Sequence, residues 1–246
     1  MTQRPSPREP VLAFLAVTAV AAGLFWTAKA VPFLRHNLQA AIAILFFYAP
    51  VVVGRLQDRP FDFRAGGLTL QPIRRGAVVF LGAIAVTFPL FIAGFFAFYG
   101  TVCAATAHGL PAELGRLCPT VGWAGLGGGH LHLPPSFLLL AANQVLVVAL
   151  PEEVFFRGYL LPRLEVTWPP TRRLAAAPVG TALLLASALF ALGHVLVDFN
   201  PQRLAVFFPG LVFGWMRART GSLAAGTAYH ASCNLLSEIL HASFFG

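Results

Sequence analysis

The stretch FLLLAANQVLVVALPEEVFFRGYLL, residues 137–161, decides how the rest of the chain is read. An apolar run from Phe137 to Leu150 leads straight into Pro151, Glu152 and Glu153, and the chain returns to apolar residues around Arg157 and Gly158. A run of this length is close to a bilayer-crossing helix. Ionisable side chains inside such a helix cost a few kcal/mol each, so they mark a functional site by default.

Working outward, the whole chain is too apolar for a soluble domain: 57% of its 246 residues are hydrophobic and 11% are charged, with a mean hydropathy of +0.74. The pattern is one of long apolar stretches without the short alternating segments of a barrel, so the fold class is all-α, a polytopic membrane helical bundle. The formal charge of +8 has no soluble domain to carry it as a nucleic-acid surface, and no nucleic-acid partner is expected. The lipid bilayer is the expected environment.

Seven spans are predicted, over 11–28, 38–54, 77–99, 136–161, 178–197, 204–216 and 222–240. Val11 to Ala28 is too long for a signal-peptide core and reads as the first span. With the N-terminus in the cytoplasm, Arg55, Arg59, Arg64, Arg74, Arg75, Arg163, Arg172, Arg173, Arg217 and Arg219 fall in inside loops. Lys29, Arg35, Arg116 and Arg203 fall outside. That asymmetry follows the positive-inside rule. Residues 55–71, with Phe61, Phe63, Leu68 and Leu70 at even spacing, read as a membrane-surface loop too small to bury a core. No repeat divides the chain. It is expected to be a single membrane domain, 1–246, with N-terminal spans and an outside loop in 1–135 and a catalytic core in 136–246.

The outside loop, about 100–135, contains Cys103, Cys118, His108, His130 and His132. Cys103 and Cys118 are the one pair there that a disulfide could join, and a disulfide and two free thiols both remain open. His130 and His132 lack the further ligands of a zinc site, and Gly125 to Gly129 reads as a turn, since no Lys-Ser or Lys-Thr follows it. Cys233 reads as a packing residue.

Polar residues in the last four spans recur at helical spacing. Glu153 and Arg157, four apart with the acid first, can pair. Glu152 is turned about 100° from its neighbour and escapes that pair. His194 shares a helix face with Phe190, and His230 with Asn234; Asn143 and Gln144 read as contacts between helices. A carboxylate, two imidazoles and a carboxamide on three helices suit water chemistry: Glu152 as base, one histidine holding the water, the other with Asn234 donating to an oxyanion. One imidazole alone serves equally well as an interhelical donor; the conjunction favours chemistry. The helical rise leaves a mismatch, because His194 lies about 24 Å along its span from Pro178 and His230 about 13 Å along its own from Gly221.

Glu-Glu-x-x-x-Arg at 152–157, Phe-x-x-x-His at 190–194 and His-x-x-x-Asn at 230–234 resemble the three motifs of the CPBP family, the CAAX prenyl endopeptidases and bacteriocin-processing enzymes. Thr220-Gly221-Ser222-Leu223 is similar to that family's entry to its final core helix. The resemblance covers about residues 140–240. It implies a glutamic intramembrane endopeptidase that needs no cofactor or metal, with Glu152, His194, His230 and Asn234 catalytic and Glu153 and Arg157 supporting. It also implies a membrane-anchored protein or peptide as substrate. Asp198-Phe199-Asn200-Pro201 followed by Phe207-Phe208-Pro209-Gly210 looks like bacterial members, which suggests a myxosortase-like protease of C-terminal sorting tails. Lys29 as the sole lysine among the basic residues suggests a GC-rich bacterial genome and the bacterial inner membrane. A non-catalytic relative in bacteriocin immunity or partner binding, and a zinc-dependent protease using Glu152, His194 and His230, are the alternatives.

Overall fold

The computed structural model describes residues 8–106 and 123–245. Cys118 and His108 lie outside them, and so does the Cys103–Cys118 pairing. Seven long helices carry the fold among the described residues. They are α1 (Arg8–Ala28), α2 (Pro32–Leu56), α3 (Ile73–Thr106), α4 (Phe137–Thr167), α5 (Thr181–Asp198), α6 (Phe207–Thr220) and α7 (Ala224–Phe244). Helices α1, α2, α3, α4 and α5 are long and apolar enough to cross a membrane. Helix α6, of 14 residues, is too short, and α7, of 21 residues, is diluted by Tyr229, His230, Asn234, Ser237, Glu238 and His241. The architecture is an all-α polytopic bundle. A two-stranded antiparallel hairpin, β1 (Arg172–Leu174) with β2 (Ala177–Val179), is a small addition to it.

Local chemistry sets the ends. Glu9 in the first turn of α1 complements the helix dipole and accepts from Tyr159 Oη at 3.2 Å and Arg163 Nη1 at 2.9 Å, fastening α1 to α4. Helix α6 does not begin at 204 as the hydropathy suggests. Asn200 caps a tight three-residue-per-turn helix, Pro201–Val206, by accepting from the Gln202 N–H at 3.0 Å, and the α-helix proper starts after it. At the other end Gly221, with φ +74°, supplies the left-handed residue that stops α6.

Helix α4 departs from regular geometry twice. Its turns open to i→i+5 bonding over Gln144–Ala149 and again over Val154–Leu160. Each wide segment runs up to a proline, Pro151 or Pro162, which has no N–H for the i−4 carbonyl and whose ring crowds that carbonyl. The two glutamates sit between the wide turns, in Leu150–Glu153.

Successive helices alternate in direction, which gives the bundle two unlike ends. One end holds residues 57–72, the hairpin and the turn 221–223, together with Arg55, Arg59, Arg64, Arg74, Arg75, Arg163, Arg172, Arg173, Arg217 and Arg219. The other holds 29–31, 123–136 and 199–206 with Lys29, Arg35 and Arg203. At the arginine-rich end the loop expected at the membrane surface is stitched to the bundle. The Leu223 N–H donates to Gly67 O at 2.8 Å, Ser222 Oγ donates to Thr69 O, and Phe61 and Phe63 lie against Tyr159 and Phe47. At the opposite end Phe95, Tyr99, Trp123, His241, Phe244 and Phe245 form an aromatic cluster, and the His132 N–H donates to Ser243 Oγ at 2.9 Å, holding the end of α7.

Candidate active site

The centre is built on α4, α5, α6 and α7. Arg157 and Glu153 are 1% and 0% exposed, and Arg157 Nη1 donates to Glu153 Oε1 at 3.0 Å, the pair anticipated from the four-residue spacing. The guanidinium also donates through Nη2 to the Gly210 carbonyl at 3.0 Å and lies 4.4 and 4.9 Å from the ring centroids of Phe190 and Phe213. A buried ion offsets its desolvation only with such additional partners.

Helical spacing gives no sign of a second contact that Glu153 makes. His230 Nδ1 lies 3.2 Å from the same Oε1. A carboxylate already accepting from Arg157 is a pure acceptor, so Nδ1 carries the proton and donates. The His230 ring is stacked on Phe213, with centroids 4.5 Å apart and planes at 14°. The other Glu153 oxygen, Oε2, has no partner. It faces Gly226, where a Cβ would stand 3.3 Å away.

Glu152 points elsewhere, as the 100° turn requires. Its Oε2 is buried without a hydrogen bond and stands 3.9 Å from His194 Nε2 and 3.8 Å from His230 Nε2. Both separations exceed a direct hydrogen bond. His194 is held from behind, since its Nδ1–H donates to the Phe190 carbonyl at 2.8 Å. The four-residue spacing of Phe190 and His194 thus sets a backbone contact as well as a shared face. With Nδ1 engaged by that carbonyl, Nε2 is the ring nitrogen turned to Glu152.

Asn234 is on the same face of α7 as His230, but its Nδ2 donates to Gln144 Oε1 on α4 at 2.9 Å, leaving one N–H of that amide uncommitted. Asn143 Nδ2 donates to Gln39 Oε1 on α2 at 3.1 Å, so Asn143 and Gln144 both join helices. The depth mismatch is absorbed by stagger. His194 lies about 20 Å beyond Thr181 and His230 about 9 Å beyond Ala224 by helical rise, yet both meet Glu152, so α5 and α7 are offset or tilted relative to each other. Among the described residues no group of three His, Cys, Asp or Glu side chains has the arrangement of a metal site.

These groups line a cavity of about 560 Å³ whose walls come from α1, α2, α4, α5, α6, α7 and the tight helix 201–206. Phe25, Ile42 and Phe46 are part of the wall, so the first two helices contribute apolar surface to the site although they contain no recognisable motif. Helix α3 stands outside, buttressing α7 through Thr87 Oγ1 and Tyr229 Oη at 2.6 Å.

Membrane-length helices closed around a buried polar centre define a polytopic membrane protein with an internal site. Residues 134–236 match the family model described as type II CAAX prenyl endopeptidase Rce1-like. Residues 134–236 are thus similar to a protease domain of the CPBP type, and this segment holds Glu152, His194, His230 and Asn234. No curated protein and no solved structure matches the chain.

Proposed function

We propose that the chain is a glutamic intramembrane endopeptidase in which Glu152 is the general base. The observation that carries this reading is the unpartnered Glu152 Oε2, set between two imidazole Nε2 atoms at 3.8 and 3.9 Å. A water molecule lodged against these three atoms gives one hydrogen to Glu152 and the other to the His194 Nε2 lone pair. Glu152 takes the proton as the water oxygen attacks the scissile carbonyl carbon. The oxyanion then needs donors, and His230 supplies one when both its nitrogens are protonated. The free N–H of Asn234 is the second donor. Collapse of the intermediate breaks the C–N bond, and Glu152 returns its proton to the leaving amine.

The substrate in this reading is a membrane-anchored protein or peptide, in particular the C-terminal sorting tail of a bacterial protein, and the enzyme sits in the inner membrane with its N-terminus in the cytoplasm. The arginine distribution supports the orientation. The chain works as one unit, 136–246 holding the reacting groups and α1 and α2 completing the wall.

The test is cleavage of a tagged, membrane-anchored substrate by purified wild type and by Glu152→Gln, each with and without chelator. Loss of a general base lowers the rate by about 10²–10⁴-fold. Full activity in the folded Glu152→Gln variant would refute the mechanism, and loss of wild-type activity to chelator would move the chemistry to a metal.

A further inference from the structure

The cavity is lined at one end of the bundle only. Its rim is formed by Phe25 on α1, Gln39 on α2, Arg203 in the tight helix and Ser237 and Glu238 on α7, all in the parts of those elements nearest Lys29. None of its lining residues belongs to 57–72, to the hairpin or to the turn 221–223. Beneath Glu152 the bundle is solid: Phe155, Arg157, Tyr159, Leu160 and Met216 are each 1% exposed or less. The stitched loop 61–70 covers that floor from the arginine-rich end. The helices also close a ring around the cavity. Helix α1 packs on α2 and α5, α5 on α6, α6 on α7, and α4 bridges α2 and α7, with Gln39–Asn143 and Gln144–Asn234 as polar ties.

We infer that the site is loaded from the face of the membrane opposite the arginine-rich loops, the non-cytoplasmic face by the positive-inside rule. The bond it cleaves therefore lies on the non-cytoplasmic side of the substrate's own membrane anchor. The substrate half of this inference rests on the protease reading; the access half does not. A tail presented only on the arginine-rich side meets the floor of packed aromatic and aliphatic side chains, or a separate cavity of about 350 Å³ beside Leu68 and Leu70 that neither glutamate nor either histidine lines. A segment descending from the other side passes Glu238, Asn234 and His230, spaced four residues apart on one face of α7, before it reaches Glu152. Glu238 is exposed at the rim.

The experiment uses the full chain with its three cysteines replaced by serine and Ser237→Cys introduced at the rim. Right-side-out spheroplasts and inverted membrane vesicles of a bacterial host are treated with a membrane-impermeant sulfonated maleimide, with Arg219→Cys as the marker of the opposite face. Labelling of Ser237→Cys in spheroplasts and its loss in inverted vesicles, with the reverse for Arg219→Cys, is the expected result. Labelling of Ser237→Cys from the vesicle side, from both sides or from neither overturns the access assignment. The same labelling is read on a Glu152→Gln background, so it stands or falls independently of catalysis. In the active chain, complete modification of Ser237→Cys by a bulky maleimide added outside abolishes cleavage of a co-resident anchored substrate. Unchanged cleavage after complete modification overturns the entry route. Absence of cleavage by the unmodified wild type refutes the protease reading and leaves the access result standing.

Discussion

Removing Arg157 while keeping Glu153 isolates what the buried centre contributes. In Arg157→Met the carboxylate at 0% exposure keeps only His230, and the Gly210 carbonyl loses the donor at 3.0 Å. Breaking one side of a buried ion pair costs about 3–5 kcal/mol, and an orphaned buried carbonyl adds about 1–3 kcal/mol. The single variant belongs in the rare, severe class of substitutions. The double variant Glu153→Gln/Arg157→Met removes both charges together and is expected to regain at least about 2 kcal/mol over Arg157→Met, since an intact pair is worth little more than a neutral replacement. Unfolding of the purified protein by SDS in mixed micelles, followed by tryptophan fluorescence, measures both. Function separates from stability in the double variant. The carboxamide that replaces the Glu153 carboxylate accepts from His230 only as a neutral, weaker partner, so the ring is held less firmly, and cleavage is expected to fall by about 10²–10³-fold, the range for a lost oxyanion donor. An Arg157→Met protein within about 1 kcal/mol of wild type, or a folded double variant cleaving at the wild-type rate, would refute the account of Glu153 as the residue that positions His230.

Other expectations follow from single contacts. Asn234→Leu lowers kcat by about 10²–10³-fold with little change in KM, as for loss of a transition-state donor; a pure KM effect in substrate titrations would place Asn234 in binding. Gln144→Leu leaves the protein folded but frees the Asn234 amide, and it is expected to lower the rate less than Asn234→Leu; an equal or larger loss would assign Gln144 a direct role. Gly226→Ala drives a methyl to 3.3 Å from Glu153 Oε2 and is expected to cost about 1–3 kcal/mol as overpacking, read in the same SDS titration. Gly67→Ala, at φ +96° with its Cβ against the Arg217 guanidinium, costs about 1–3 kcal/mol from the backbone conformation alone; limited proteolysis within 57–72 would show the loop released.

The legible parts of this site are those fixed by one helix. Glu153 with Arg157 and the separation of Glu152 from both follow from 3.6 residues per turn, and the structure carries them. Contacts between helices are not legible in the same way. The separation of 77 positions from Glu153 to His230 leaves no periodic trace, and only Gly226, four residues before His230, marks where a carboxylate approaches α7. The walls from α1 and α2 are hidden in the sequence because Phe25, Ile42 and Phe46 are ordinary residues for a membrane helix; Thr18 and Gln39 are the polar residues these helices add. Helix α6 starts later than hydropathy places it, because hydropathy does not register the Asn200 cap and Pro201 that tighten the first turns. Prolines 151 and 162 are visible as helix disturbances, but which way the helix yields depends on its neighbours.

That yielding bears on how the gene can change. Each wide turn of α4 accommodates one residue beyond what a regular helix would place there, so the helix holds two local insertions in register with its surroundings. Deleting one residue from Gln144–Ala149 would let the helix close up locally and keep both glutamates seated against α5 and α7. The outer segment would keep its facing as well, with Asn143 still against Gln39. Lineages of this protein should therefore tolerate a single-residue deletion within Gln144–Ala149 or Val154–Leu160 more readily than one in the regular turns of α4, where one flank would swing by about 100° and need compensating changes in the helices it faces.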